Sequence, residues 1–187
     1  MLDVVVKNTE RFLLSVPKTK RKKYGQFFTN MSTAKFMASL FCFDRSKPCL
    51  EILDAGAGTG ILATAVIQKL IDDGYKGRIH VTCYETDDFV MPVLEENMRL
   101  STVLPNVTCS IKTDNYITSQ NFSDYTLFCG EDFHYDYIIG NPPYLKTPKD
   151  AIEALAMPEV CYGAPNLYFL FWAMGIHNLK EGQELVY

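Results

Sequence analysis

The chain has 187 residues, 48% of them hydrophobic, and a formal net charge of -4, which describes one globular domain burying roughly 70% of its unfolded surface. The acidic balance argues against a protein built mainly to hold a polyanion. With no basic n-region before an apolar stretch, and a longest apolar run (Leu167 to Ile176) about half a membrane span, the expectation is a cytoplasmic protein with no membrane contact.

The first sixteen residues read as an amphipathic helix, followed by the dense basic cluster Lys18, Lys20, Arg21, Lys22 and Lys23 and a second helix from about Ser32 to Phe43. Strands and helices then alternate. Leu50 to Asp54 reads as a buried strand, Gly60 to Ile71 as a helix, Ile79 to Glu85 as a strand, and a helix begins near Asp88 with Pro92 in its first turn. Val107 to Ile111 and Asp136 to Ile139 continue the strands, Asn166 to Leu179 is an apolar helix, and Glu184 to Tyr187 opens a fifth strand. The expected class is α/β with a mainly parallel sheet. Thr113 to Asp132 and Leu145 to Pro165 look irregular, and each lies beside a motif, as a wall or lid of a site does. Six cysteines without a Cys-x-x-Cys pair read as reduced thiols, so neither a disulfide framework nor a metal site is expected.

Three glycines alternate in Asp54-Ala55-Gly56-Ala57-Gly58-Thr59-Gly60, between the first strand and its helix. They let bare backbone and a helix N-terminus approach a ligand closely. The spacing is not that of the dinucleotide fingerprint, and an acid at the strand end suits a cationic amino acid better than a pyrophosphate, which favours S-adenosylmethionine over NAD. Glu85, ending the second strand, is positioned to accept from ribose hydroxyls; Asp114 follows the third strand, where it can accept from an adenine amino group, with Asn115 or Tyr116 over the ring. Tyr24-Gly25-Gln26-Phe27-Phe28-Thr29, just before the second helix, brings aromatic surface and a hydroxyl to another helix N-terminus. Asn141-Pro142-Pro143-Tyr144 follows the fourth strand. An Asn oxygen and the Pro142 carbonyl can both accept from one planar NH2 while the Tyr144 ring covers the ring that bears it, a device for methylating an exocyclic amine.

Together these segments resemble the N6-adenine DNA methyltransferases with the gamma order of motifs, the TaqI-like group of restriction-modification systems. Tyr24 to Thr29 looks like motif X, Asp54 to Gly60 motif I, Glu85 motif II, Asp114 motif III, Asn141 to Tyr144 motif IV, and Asn166 to Tyr168 motif V, with Glu181 to Tyr187 similar to the start of motif VI. The resemblance implies an S-adenosylmethionine-dependent methyltransferase (Rossmann-like) fold and transfer of a methyl group to adenine N6 in DNA. It implies cofactor contacts from Gln26, Phe27, Thr29, Asp54, Ala55, Gly56, Gly58, Glu85, Asp114, Asn115 and Asn141, with catalysis by Asn141, Pro142 and Tyr144. One departure is Asn115, where motif III commonly carries an aromatic.

The resemblance divides the chain into an N-terminal helical segment with motif X (residues 1–45) and a catalytic core (46–187). That core stops at five of the family's seven strands, its final strands missing. The partners it implies are double-stranded DNA with a flipped adenine, and a C-terminal target-recognition region or a partner chain. The alternatives are a glutamine-N5 methyltransferase of release factors, which shares the Asn-Pro-Pro-Tyr motif, and a non-catalytic cofactor-binding subunit.

Overall fold

A computed structural model describes residues 1–15, 29–120, 134–161, 163 and 165–187. Helix α1 (Leu2–Ser15) buries Leu2, Val5, Val6 and Thr9, the i, i+3, i+4, i+7 face that an amphipathic helix turns inward. Helix α2 (Met31–Ser39) starts on Asn30, whose side chain accepts the N–H of Thr33 at 2.9 Å. It ends four residues before the expected Phe43. Phe41 and Phe43 leave the helix to meet the ring of Tyr137 at 5.5 and 4.8 Å, both edge-on, and burying that aromatic cluster outweighs one more helical turn.

The core elements are β1 (Cys49–Ala55), α3 (Ile61–Asp72), β2 (Arg78–Tyr84), α4 (Met91–Ser101), β3 (Val107–Lys112), β4 (Tyr135–Ile139), the short α5 (Ile152–Ala156), α6 (Leu167–Asn178) and β5 (Leu179–Val186). The strands form a parallel sheet ordered β3-β2-β1-β4-β5, the α/β class expected. A parallel sheet needs both faces covered. One face carries α1, α2, α3 and α4 residues in a core with Leu50, Ile52, Val81 and Tyr137; the other carries Leu53, Ile138, Tyr116 and the inner side of α6. No helix among the described residues is long and apolar enough to cross a membrane.

Two segments depart from the sequence reading. β5 begins at Leu179, five residues before Glu184, because Leu179 pairs with Tyr135 while Glu184 pairs with Tyr137. The extra residues between them form a bulge around Gly182, whose φ is +73°. The stretch Leu145 to Pro165 contains α5 and a 3-10 turn at Pro158–Val160. Its inner side is apolar, with Met157 and Ala154 buried, a pattern too short to show as a period in the sequence.

At the opposite end of the sheet from the motifs, Asp136 accepts the N–H of Glu51 at 2.8 Å and the ammonium groups of Lys47 at 2.7 Å and Lys180 at 3.3 Å. Burial pushes its carboxyl up, and the Glu51 N–H and the two lysines outweigh that and hold it below the usual value of 3.8. A depressed folded value contributes stability that is present above the unfolded value and lost as pH falls below about 4. Asp136→Ala should therefore lower stability at pH 7 by about 2 kcal/mol, the order of an unmade buried hydrogen-bond set whose lysines still reach water. Denaturant titration checks this, and the deficit should shrink towards pH 3. A pH-independent deficit would assign the effect to packing instead.

Candidate functional site

The order β3-β2-β1-β4-β5 puts the point where connections diverge between β1 and β4, and a cleft of about 720 Å³ opens there at the carboxyl ends of the strands. Its floor is the glycine turn. Gly56, Gly58 and Gly60 have φ of +72°, +56° and +79°, the left-handed region that explains three glycines in five residues. The turn is fixed to β2 by the Ala57 N–H donating to the Tyr84 carbonyl at 2.8 Å. From the other side, Thr9 of α1 donates to the Thr59 hydroxyl and Asn97 of α4 to the Thr59 carbonyl, each at 2.8 Å. The N-terminal helix and α4 thus each hold the turn in place through one buried hydrogen bond.

Thr29, Gly56, Gly58, Glu85, Asp114, Asn115 and Asn141 all line this one cleft, although 112 residues separate Thr29 from Asn141. The Asn141 amide donates to the Thr29 hydroxyl at 3.3 Å, bridging the segment before α2 to the loop after β4. Gln26 and Phe27, like the basic cluster from Lys18 to Lys23, lie outside the described residues.

Glu85 is more heavily engaged than its sequence position suggests. Its Oε2 accepts the N–H of Gly58 at 2.9 Å, and its Oε1 accepts the N–H groups of Thr86 and Asp87, each at 2.8 Å. Burial raises its carboxyl above the usual range, with these three N–H bonds opposing. Of about four acceptor positions on a carboxylate, three are used. One is left for a direct ribose hydroxyl, where the sequence reading had two.

Asp54 and Ala55 do not line the cleft. Both are fully buried behind the turn. Asp54 Oδ2 accepts the N–H of Ala63 at 2.9 Å and so caps α3, whose own N-cap residue, Gly60, has no side chain to do it. Among the described residues its Oδ1 has no hydrogen-bond partner, and burial, with the charge of Glu85 adding, pushes this carboxyl up to about 7.

Asn115 and Tyr116 are also occupied otherwise than expected. The Asn115 oxygen closes a turn on the N–H of Ile117 at 3.0 Å, and its amide donates to Glu153 of α5 at 2.9 Å. Tyr116 is 2% exposed, packs on Tyr84 and Phe171, and accepts from Asn178 at 3.1 Å, so it is a core residue that also lines the cleft. Pro142 is buried and Tyr144 is 54% exposed, and neither is among the residues lining the cleft, although their neighbours Asn141, Pro143 and Leu145 are. The sequence reading missed Phe89 and Phe171 in the wall, whereas Leu145 and Glu153 come from the segment it expected as a wall or lid without singling them out. Nothing in their local spacing separates a wall residue from a core or surface one.

The charge of the cleft is one-sided. Glu85, Asp87, Asp88, Asp114 and Glu153 line it, with no lysine, arginine or histidine among the described lining residues. Such a cleft repels a pyrophosphate and attracts a cation. The profile of the Eco57I restriction-modification methylases matches residues 19–187. The chain belongs to that family. Among curated relatives of this Eco57I-family chain, the type II methyltransferase M.BsuBI of Bacillus subtilis is 29% identical over 98% of the chain and 37% of its own length. M.PstI of Providencia stuartii is 32% identical over 92% and 34%. A release factor glutamine methyltransferase of Fusobacterium nucleatum is 32% identical over 72% and 32%. The chain thus spans about a third of the length of each. Among solved structures, the methyltransferase subunit of a type I restriction-modification system from Streptococcus thermophilus has the same fold, with a TM-score of 0.59 at 20% identity over 83% of this chain and 32% of that one.

Methylases of the Eco57I family use S-adenosylmethionine, whose sulfonium and ammonium groups suit an acidic cleft. The donor set fits that group. The glycine turn offers close backbone approach, Glu85 one free acceptor position for a ribose hydroxyl, and the buried Asp54 a carboxyl one layer behind the turn that a bound cation favours in its ionised form.

Proposed function

We propose that the natural protein containing this chain methylates the N6 amino group of adenine in double-stranded DNA, as the methyltransferase of a restriction-modification system with the gamma order of motifs. The observation that carries the reading is the hydrogen bond between Asn141 and Thr29 on the wall of an acidic cleft floored by the glycine turn. It joins the segment read as cofactor-holding to the segment read as amine-holding.

In this reading S-adenosylmethionine supplies a methyl group already activated on sulfur, and the protein supplies position and charge. Thr29 and the glycine turn hold the amino-acid end, Glu85 the ribose, and Asp114 the cofactor adenine, and the resemblance adds Gln26 and Phe27, outside the described residues, as further cofactor contacts. Asn141 Oδ1 and the Pro142 carbonyl accept from the target amine and favour the pyramidal nitrogen whose lone pair attacks. The face of Tyr144 stabilises the positive charge that develops there. The proton leaves to solvent afterwards, so no strong base is required.

A base inside a duplex cannot reach the cleft, so the adenine flips out, at a cost of a few kcal/mol that stacking on one aromatic offsets by about 1 to 3 kcal/mol. Backbone contacts from a target-recognition region or partner chain supply the remainder, and residues 46–187 act as the catalytic part beside the helical segment 1–45. The site of action is the cytoplasm.

Nucleoside mass spectrometry after incubating the natural polypeptide with unmethylated genomic DNA and S-adenosylmethionine tests this. N6-methyl-2′-deoxyadenosine is the expected product. Methylated cytosine would overturn the target assignment. The second reading, glutamine-N5 methylation, is favoured by the shared planar-amide chemistry and the similarity over 135 residues to a release factor methyltransferase. Transfer to a release factor but not to DNA would establish it.

A further inference from the structure

The two segments that flank α5 are zipped into an antiparallel neck. Lys146 pairs with Asn166, the Thr147 N–H donates to the Pro165 carbonyl at 2.9 Å, and the Leu167 N–H donates to the Leu145 carbonyl at 2.9 Å. Continuing this register by one residue brings Tyr144 opposite Tyr168. Their rings are stacked, with centroids 5.1 Å apart and planes 21° from parallel. Tyr168 is held there from two directions. Its N–H donates to Asn166 Oδ1 at 3.0 Å in the first turn of α6, and Phe169 meets its ring edge-on at 5.9 Å.

A planar base between two aromatic rings needs roughly 7 Å from ring to ring, two contacts of about 3.5 Å each. The observed 5.1 Å admits nothing. We propose that Tyr168 is a gate: without a target base it covers the face of Tyr144 that the flipped base must take, and it is displaced when the base enters. The inference rests on the flipped-base reading of Tyr144. Base entry exchanges one aromatic stack for another, so stacking alone drives little capture, and the hydrogen bonds at Asn141 decide whether a base stays. Accidental occupancy by bases that lack a suitably placed amine is thereby short-lived.

The test is steady-state methyl transfer by the natural polypeptide, as wild type, Tyr168→Ala and Tyr168→Phe, on unmethylated genomic DNA and on single-stranded poly(dA). Removing the covering ring should lower KM on both substrates by roughly threefold to tenfold, the range expected for one aromatic stack, without raising kcat. Tyr168→Phe keeps the flat ring and should match wild type. A raised KM in Tyr168→Ala would mean that Tyr168 supports Tyr144 from behind, and an unchanged KM that it does neither; both overturn the gate. Absence of adenine methylation by wild type would overturn the flipped-base reading and the gate with it. Should Tyr168→Ala not fold, judged by melting and cofactor affinity, Tyr168→Leu removes the flat face while keeping bulk, and the same decrease in KM is expected.

Discussion

Replacing Asn141 by alanine should reduce turnover by roughly a hundredfold to a thousandfold, the range for losing one preorganised group that acts on charge developing in the transition state. Cofactor affinity should fall far less. The asymmetry follows from position: Asn141 sits after β4 on the cleft wall, where its amide holds the cofactor-side segment through a 3.3 Å bond to the Thr29 hydroxyl. Single-turnover kinetics with S-adenosylmethionine titrations on the same preparations would separate the two effects. Equal losses in turnover and cofactor affinity would reassign Asn141 to cofactor binding. Thr29→Val, which removes the anchor together with a cofactor-side hydroxyl, should weaken cofactor affinity and show a smaller loss of turnover than Asn141→Ala.

The second large effect concerns pH. Asp54 is fully buried, and burial pushes its carboxyl up to about 7 from an ordinary 3.8. Between those values the folded chain keeps a proton that the unfolded chain has released, so stability falls as pH rises from about 4 to 7. The loss is on the order of 4 kcal/mol at most, about three units at 1.36 kcal/mol each. Glu85, also raised by burial, acts with the same sign. Thermal melts of the ligand-free chain between pH 5 and 8 should therefore decline with pH, and Asp54→Asn, which can still cap α3 through its amide oxygen, should flatten most of that decline.

A bound cation reverses the preference by favouring the ionised carboxylate. Cofactor affinity should accordingly rise several-fold from pH 6 to 7.5 and level off near pH 8, where the ligand's own α-amino group begins to lose its proton. Binding should release protons in that window, measurable by calorimetry in buffers of different ionisation enthalpy. An unchanged pH slope in Asp54→Asn would remove the buried carboxyl as its source.

The sequence by itself determined the α/β class, the position of each of the five strands to within a few residues except the start of β5, and the glycine turn. These are local consequences of the chain. Buried parallel strands must be apolar runs, α1 and α4 must repeat apolar residues at helical spacing, and only glycine tolerates the three left-handed φ values between Gly56 and Gly60 without strain. The motif residues Gly56, Gly58, Glu85, Asp114 and Asn141 were legible for a related reason: in a parallel sheet every strand's carboxyl end faces the same side, so the residues that follow the strands converge, and Thr29 joins them from the segment before α2.

What each side chain does there was decided by tertiary structure. Asp54 reads as a ligand-facing acid, yet the helix it precedes has a glycine at its N-cap, and the nearest acceptor for the Ala63 N–H is the Asp54 carboxylate, which draws it inward. Glu85 spends three acceptor positions on backbone N–H groups that no linear pattern reveals. Asn115 reaches Glu153 across 38 residues, and Tyr144 meets Tyr168 through the register of an antiparallel neck that neither segment specifies alone. The physical reason is common to all four. A polar group or an aromatic ring takes whatever partner the packed chain brings into contact, and that partner depends on how elements dock, an outcome of the whole fold rather than of local spacing.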